Sequence, residues 1–115
     1  MAKRSAFWDD HAGDLDDPEY RHQFVLETAR IQAVDALINK LDELREVEGL
    51  SKADLARAID REPAAVRRLL TAQQVNPTVA LVADVAAALG FRLTLEPLDD
   101  KARAEVTEPL RALVS

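Results

Sequence analysis

The chain contains no cysteine in its 115 residues, which excludes disulfides and thiolate metal sites and fits a reducing compartment. Aromatics are scarce, at 4%, so a core has to be assembled from small and aliphatic side chains, a mix that favours packed helices. No apolar run approaches the roughly 20 residues that span a bilayer; the longest, "VALVA" from Val79 to Ala83, is a fraction of that. The opening "MAKRSAFWDD" carries Lys3 and Arg4 but no apolar stretch behind them, so it does not read as a signal peptide. These absences predict a cytoplasmic soluble protein with no membrane association. Glycine-rich phosphate loops, activated nucleophiles and paired-carboxylate clefts are also missing. The two histidines, His11 and His22, are separated across Gly13, so no convergent metal or acid–base site is expected. The expectation is a non-enzyme with no cofactor and no metal.

What is present is one domain's worth of chain, 48% hydrophobic, with a net charge of −6. That charge is unevenly spread. Residues 1–20 set Lys3 and Arg4 against Asp9, Asp10, Asp14, Asp16, Asp17 and Glu19, a balance of −4. Residues 51–76 set Lys52, Arg57, Arg61, Arg67 and Arg68 against Asp54, Asp60 and Glu62, a balance of +2. Two differently charged regions suit two different partners.

The first residues show no period and read as an arm. At "DDPEYRHQF" the pattern becomes helical: Asp17 can cap, Pro18 suits a first turn, and Glu19 complements the helix dipole. Apolar residues then recur at helical spacing through Phe24, Ile31, Val34, Leu37, Ile38, Leu41, Leu44 and Val47, with Gln32, Asp35, Lys40, Asp42, Glu43 and Arg45 marking a wet face. Propensity leaves open whether residues 18–48 form one helix or two meeting near Glu27. Gly49 ends the run. Ser51 and Asp54 form a capping-box pattern that starts a short helix on Leu55, Ala56 and Ile59. Asp60 or Arg61 takes the turn, and Pro63 restarts a helix with Val66, Leu69 and Leu70 inside. Thr78 caps a further helix through Leu89, closed by Gly90. In "FRLTLEPL" the period switches to two, which predicts a strand from Phe91 to Glu96 ended by Pro97. The tail from Asp99 is weakly helical and interrupted by Pro109.

Two short helices joined by three or four residues inside a helical bundle form a helix-turn-helix pattern, whose second helix is suited to a major groove. Arg67 and Arg68 on that helix can contact phosphate or guanine edges. The competing account is a helical hairpin with two solvated arginines that pair with Glu62 or Asp60.

From "DPEYRHQF" through "LINKLDELREVEGLSKADLARAID" to "VNPTVALVADVAAALGFRLTLEP", about 80 residues, the chain resembles the Xre/Cro-type helix-turn-helix regulators, most closely the HigA-type antitoxins. "GLSKADLARAI" sits where that family has a Gly-Leu-Thr-Gln opening and a Leu-Ala pair. The resemblance implies an all-α fold, a four- to five-helix bundle followed by one short C-terminal β-strand. It also implies a homodimer on a palindromic operator in double-stranded DNA, and a bound protein toxin of the ribosome-dependent RNase kind. Where the family opens its reading helix with polar residues, this chain has Glu62, Pro63 and Ala64, so amide readout of adenine is absent. Lys52 replaces the usual Gln and keeps an attraction for phosphate. The implied DNA-binding set is therefore Ser51, Lys52, Arg61, Ala64, Arg67, Arg68, Thr71, Gln73 and Gln74. Without a toxin the same resemblance implies a stand-alone repressor.

Three segments follow: an acidic aromatic arm over 1–17, a helix-turn-helix domain over 18–98 and a tail over 99–115. A lone strand leaves backbone groups unpaired, so Phe91, Leu93 and Leu95 are expected to join a second copy, with "SAFW" of the arm as the rival partner. In the arm and the first helix, Phe7, Trp8, Asp9, Asp10, Tyr20 and Phe24 combine aromatic anchors with carboxylates, which suits a basic protein such as a toxin. The alternative is that Trp8 covers the chain's own core.

Overall fold

The computed structural model describes residues 17–71 and 76–114. Five helices occur among them: α1 (Pro18–Glu48), α2 (Lys52–Ala58), α3 (Pro63–Leu70), α4 (Val79–Ala88) and α5 (Asp100–Arg111). The chain forms two compact units, Ala33–Leu95 on one hand, and Met1–Gln32 with Glu96–Ser115 on the other.

α1 is one continuous helix of 31 residues, with no division near Glu27. Asp17 caps it as the sequence predicts, its carboxylate accepting from the Glu19 N–H at 3.0 Å, and Pro18 occupies the first turn, where no N–H is needed. Its far end closes on Gly49, at φ +71°. The Gly49 N–H donates to the Glu46 carbonyl at 3.0 Å and the Leu50 N–H to the Arg45 carbonyl at 3.2 Å. This paired pattern satisfies carbonyls that a helix end leaves open, and it places the residue after the cap in the left-handed region. The same closure ends α4, where Gly90 (φ +86°) and Phe91 donate to Ala87 and Ala86. It also ends α2, but there the left-handed residue is Asp60, at φ 54°.

Within Ala33–Leu95 the core is a single aliphatic cluster. Ile38 and Leu41 of α1, Leu55 and Ala56 of α2, Val66, Leu69 and Leu70 of α3, and Leu81, Val82, Val85, Ala86 and Leu89 at α4 are all buried. Val34, Leu37, Leu44, Leu50 and Ile59 pack around it half-buried. No polar residue is buried among the described residues. A fully buried Leu or Val contributes about 1.5–3 kcal/mol, so this cluster accounts for most of what holds the unit together. α2 packs on both α3 and α4. At the ends of the apolar pattern on α1 the sequence reading fails, because Ile31 is 50% exposed and Val47 76%.

Arg45 is also placed differently from its expected wet face. Its side chain is only 14% exposed. Nε donates to Asp42 Oδ1 at 2.9 Å, Nη1 donates to the Leu50 carbonyl at 2.7 Å, and Nη2 lies 3.5 Å from Glu46 Oε1. One guanidinium thus ties the end of α1 to the three-residue connection before α2.

No strand occurs among the described residues; Phe91 to Glu96 carries no regular structure and every residue is exposed. The physical reason is that a strand exists only as half of a ladder, and no described segment pairs with this one. The tail is more helical than its sequence suggests. α5 begins at the Asp99 cap, whose Oδ1 accepts from the Ala102 N–H at 2.8 Å, and continues through Pro109 to Arg111. Pro109 sits in the last turn, where it has no N–H to give the Glu105 carbonyl, and it is buried.

Candidate nucleic-acid interface

The two helices on either side of the turn are set by local chemistry. At the start of α2, the Asp54 N–H donates to Ser51 Oγ and the Ser51 N–H donates to Asp54 Oδ2, each at 3.0 Å. This is the reciprocal capping box the sequence predicts, with Asp in the usual Glu position. The Ser51 backbone N–H, then its hydroxyl, with Arg57 adding an ion pair, hold the Asp54 carboxyl below the usual carboxylate range. α2 ends at the Asp60 turn, where the Arg61 N–H donates to the Ala56 carbonyl at 2.9 Å. Glu62 then caps α3 through its backbone alone, and Pro63 opens the helix.

Helical geometry divides α3 into two faces. Val66, Leu69 and Leu70 point into the core. Ala64, Arg67, Arg68 and Thr71, at spacings of three and four, fall on the opposite side. There Arg67 and Arg68 are exposed and neither forms an ion pair with a described residue. No pairing of either with Glu62 or Asp60 occurs among the described residues, while their exposure is common to the DNA-contact and the solvated-arginine accounts. Both arginines also lie in the last turn of α3, where a cation complements the helix dipole.

The remaining expected DNA contacts divide. Ala64 is half-buried near the start of α3. Lys52 is half-buried at the first position of α2 and has no ion pair among the described residues. Ser51 uses its hydroxyl oxygen in the capping box, and the Thr71 hydroxyl donates to the Arg67 carbonyl at 2.6 Å. Arg61 is engaged by Asp84 of α4, with Nη2 to Oδ2 at 3.0 Å. Gln73 and Gln74 lie outside the described residues. Asp84 and the Arg45 clamp are the residues that sequence reasoning missed. Arg61 and Asp84 lie 23 positions apart, so no local pattern joins them, whereas the Asp42–Arg45 spacing was a visible signal.

Elsewhere, Tyr20 and Phe24 stack one turn apart on α1, with ring centroids at 6.4 Å and planes inclined by 16°. They border a shallow depression of about 280 Å³ completed by Gln23, Glu27, Thr28 and Ile31. A second, of about 510 Å³, is bordered by Asp17, Glu19, Tyr20, His22, Gln23 and Leu113. Phe7, Trp8, Asp9 and Asp10 lie outside the described residues. Phe91, Leu93 and Leu95 are exposed by 50%, 38% and 97%. No group of three metal-ligating side chains occurs among the described residues, and no helix among them is long and apolar enough to cross a membrane.

A family model described as a helix-turn-helix domain matches residues 36–98. No curated protein and no solved structure matches the chain significantly.

Proposed function

This chain belongs to the helix-turn-helix domain family, and from that premise we propose that it is a DNA-binding transcriptional regulator rather than an enzyme, working as the antitoxin of a toxin–antitoxin pair. The observation that carries the DNA-binding part is the exposed Arg67–Arg68 pair on the outer face of α3, which has no ion pair among the described residues. Guanidinium groups there can reach guanine O6 and N7 or phosphate, while α2 and Lys52 lie toward the backbone. The protein binds a palindromic operator before its own operon as a homodimer. The exposed segment with Phe91, Leu93 and Leu95 supplies the joint, which would set two reading helices about one DNA turn, near 34 Å, apart. The toxin, an RNase with a basic RNA-facing surface, is held by the aromatic and acidic groups at the start of the chain, including Tyr20 and Phe24 of α1.

The test is a titration against the DNA upstream of the protein's own coding sequence over a range of salt. Binding that weakens steeply with salt is expected, because phosphate contacts release counterions; salt-independent binding, or none, refutes the reading. Growth rescue tests the antitoxin part. A chain lacking residues 1–16 should still bind the operator yet fail to rescue cells expressing a neighbouring toxin. A fully competent truncated chain would leave a stand-alone repressor, or would move the toxin site to the helices. One observation favours a rival, a protein-binding module without DNA affinity: the N-terminal end of α3 carries Glu62 and Pro63 in place of polar donors.

A further inference from the structure

We infer that Asp84 of α4 holds Arg61 back from phosphate and so sets the level of sequence-independent DNA binding. The inference rests on the DNA-binding reading above. The pair bridges two well-anchored backbones. Arg61 is fixed by its N–H bond to the Ala56 carbonyl, which closes the turn at 2.9 Å. Asp84 rides on α4 beside the buried Val85 and two positions after the buried Val82. The two anchored backbones set the reach over which Nη2 meets Oδ2, at 3.0 Å. Both side chains remain partly open, 38% and 47% exposed, so a phosphate that reaches the guanidinium meets a charge already offset by the carboxylate beside it.

The surroundings favour the carboxylate. Asp60 and Glu62 flank Arg61 in sequence and both are exposed. Counted by position, Asp60, Arg61, Glu62 and the paired Asp84 give the N-terminal end of α3 a balance of −2, whereas Arg67 and Arg68 give its C-terminal end a balance of +2. A helix of eight residues is polarised along its length, with the attraction for DNA displaced to its far end. Each phosphate neutralised by a protein cation adds about 0.9 to the salt slope of binding. By cancelling Arg61, Asp84 removes about one such contact from any duplex, whatever its sequence. Base reading is left to the other end of the helix.

The experiment measures binding of the full chain to a mixed-sequence duplex several turns long, by anisotropy, across a salt series. Asp84→Asn should tighten binding and steepen the salt slope by about 0.9, so its advantage falls about three- to fourfold between 50 and 200 mM salt. Asp84→Ser should do the same, Asp84→Glu should keep the original slope, and far-UV circular dichroism should show each variant fully helical. Arg61→Ala should leave the slope of the unmodified chain unchanged and cancel the gain when combined with Asp84→Asn. An unaltered or shallower slope for Asp84→Asn overturns the inference. So does a loss of about 0.9 for Arg61→Ala alone, which would mean that Arg61 already holds phosphate. If neither the unmodified chain nor Asp84→Asn binds the duplex even at low salt, the DNA-binding reading itself falls, and the inference with it.

Discussion

The unit Ala33–Leu95 and the unit formed by the first part of α1 with the segment after Leu95 are both helical, yet they are held in different ways. Among the described residues, every buried apolar side chain except Pro109 belongs to Ala33–Leu95. The other unit has half-buried aromatics, exposed Leu26 and Leu113, and helices that start on the carboxylate caps Asp17 and Asp99. Helix-turn-helix geometry needs α2 and α3 fixed against each other, and a closed aliphatic cluster does that without outside help. Helices held mainly by caps and partial contacts open locally at lower free energy, and they keep apolar surface available.

The comparison is broken or upheld most directly by truncating one residue in each unit. Leu69→Ala should cost about 2–5 kcal/mol, read as a loss of cooperative unfolding stability in denaturant. Phe24→Ala, at a half-buried position, should cost less than that range. Equal losses would mean that the two units share one cooperative core. Next in size, Arg67→Ala or Arg68→Ala should weaken operator binding by about 1–3 kcal/mol if either is bidentate to guanine, with a stability loss no larger than the ~0.3–1 kcal/mol of the helix-dipole contribution. Tyr20→Ala should leave operator affinity intact.

The caps offer a smaller and sharper contrast. Ser51→Ala should cost about 1 kcal/mol, felt by the whole helix-turn-helix unit, whereas Asp99→Ala should fray α5 alone, visible in amide exchange. Acid adds a check. The Asp54 carboxyl is held below its usual range in the folded chain, so its contribution is fully present above about pH 4 and is lost as pH falls through its folded value. The difference between Ser51→Ala and the unmodified chain, measured by denaturant unfolding, should therefore shrink on acidification. Smallest of all, Asp60→Gly should stabilise by up to about 1 kcal/mol, because a left-handed backbone strains any residue with a Cβ. A loss instead would give the Asp60 side chain a role of its own.

What could be read in the sequence was what chemistry settles within a few residues. Asp17 with Pro18, Ser51 with Asp54, Pro63, Thr78, Gly90 and Asp99 each mark a helix boundary through a bond or a constraint reaching no further than the next turn. The inner faces of α2 and α3 were legible for the same reason, since their spacing is periodic. The strand was not, because alternation in Phe91, Leu93 and Leu95 describes a segment fit for pairing and says nothing of a partner. Nor was the state of Arg61, whose partner belongs to another helix, or that of Arg45, whose spacing from Asp42 gave no sign of the Leu50 carbonyl. Among the candidate contacts, Arg67 and Arg68 are exposed, while Ser51, Arg61 and Thr71 have hydrogen-bond partners within the chain.

The exposed stretch from Phe91 to Asp99 also has a meaning for proteases. A protease needs several residues of extended, accessible chain, and the Arg45-clamped connection between α1 and α2 offers three at most. The stretch after Gly90 offers nine residues without regular structure, with Arg92 among them as a trypsin site. A cut after Arg92 would leave the entire aliphatic cluster, Ile38 to Leu89, on one fragment. Pairing with a second copy would hide the same bond, so the rate of that single cleavage, followed against protein concentration, reports whether two chains have joined there.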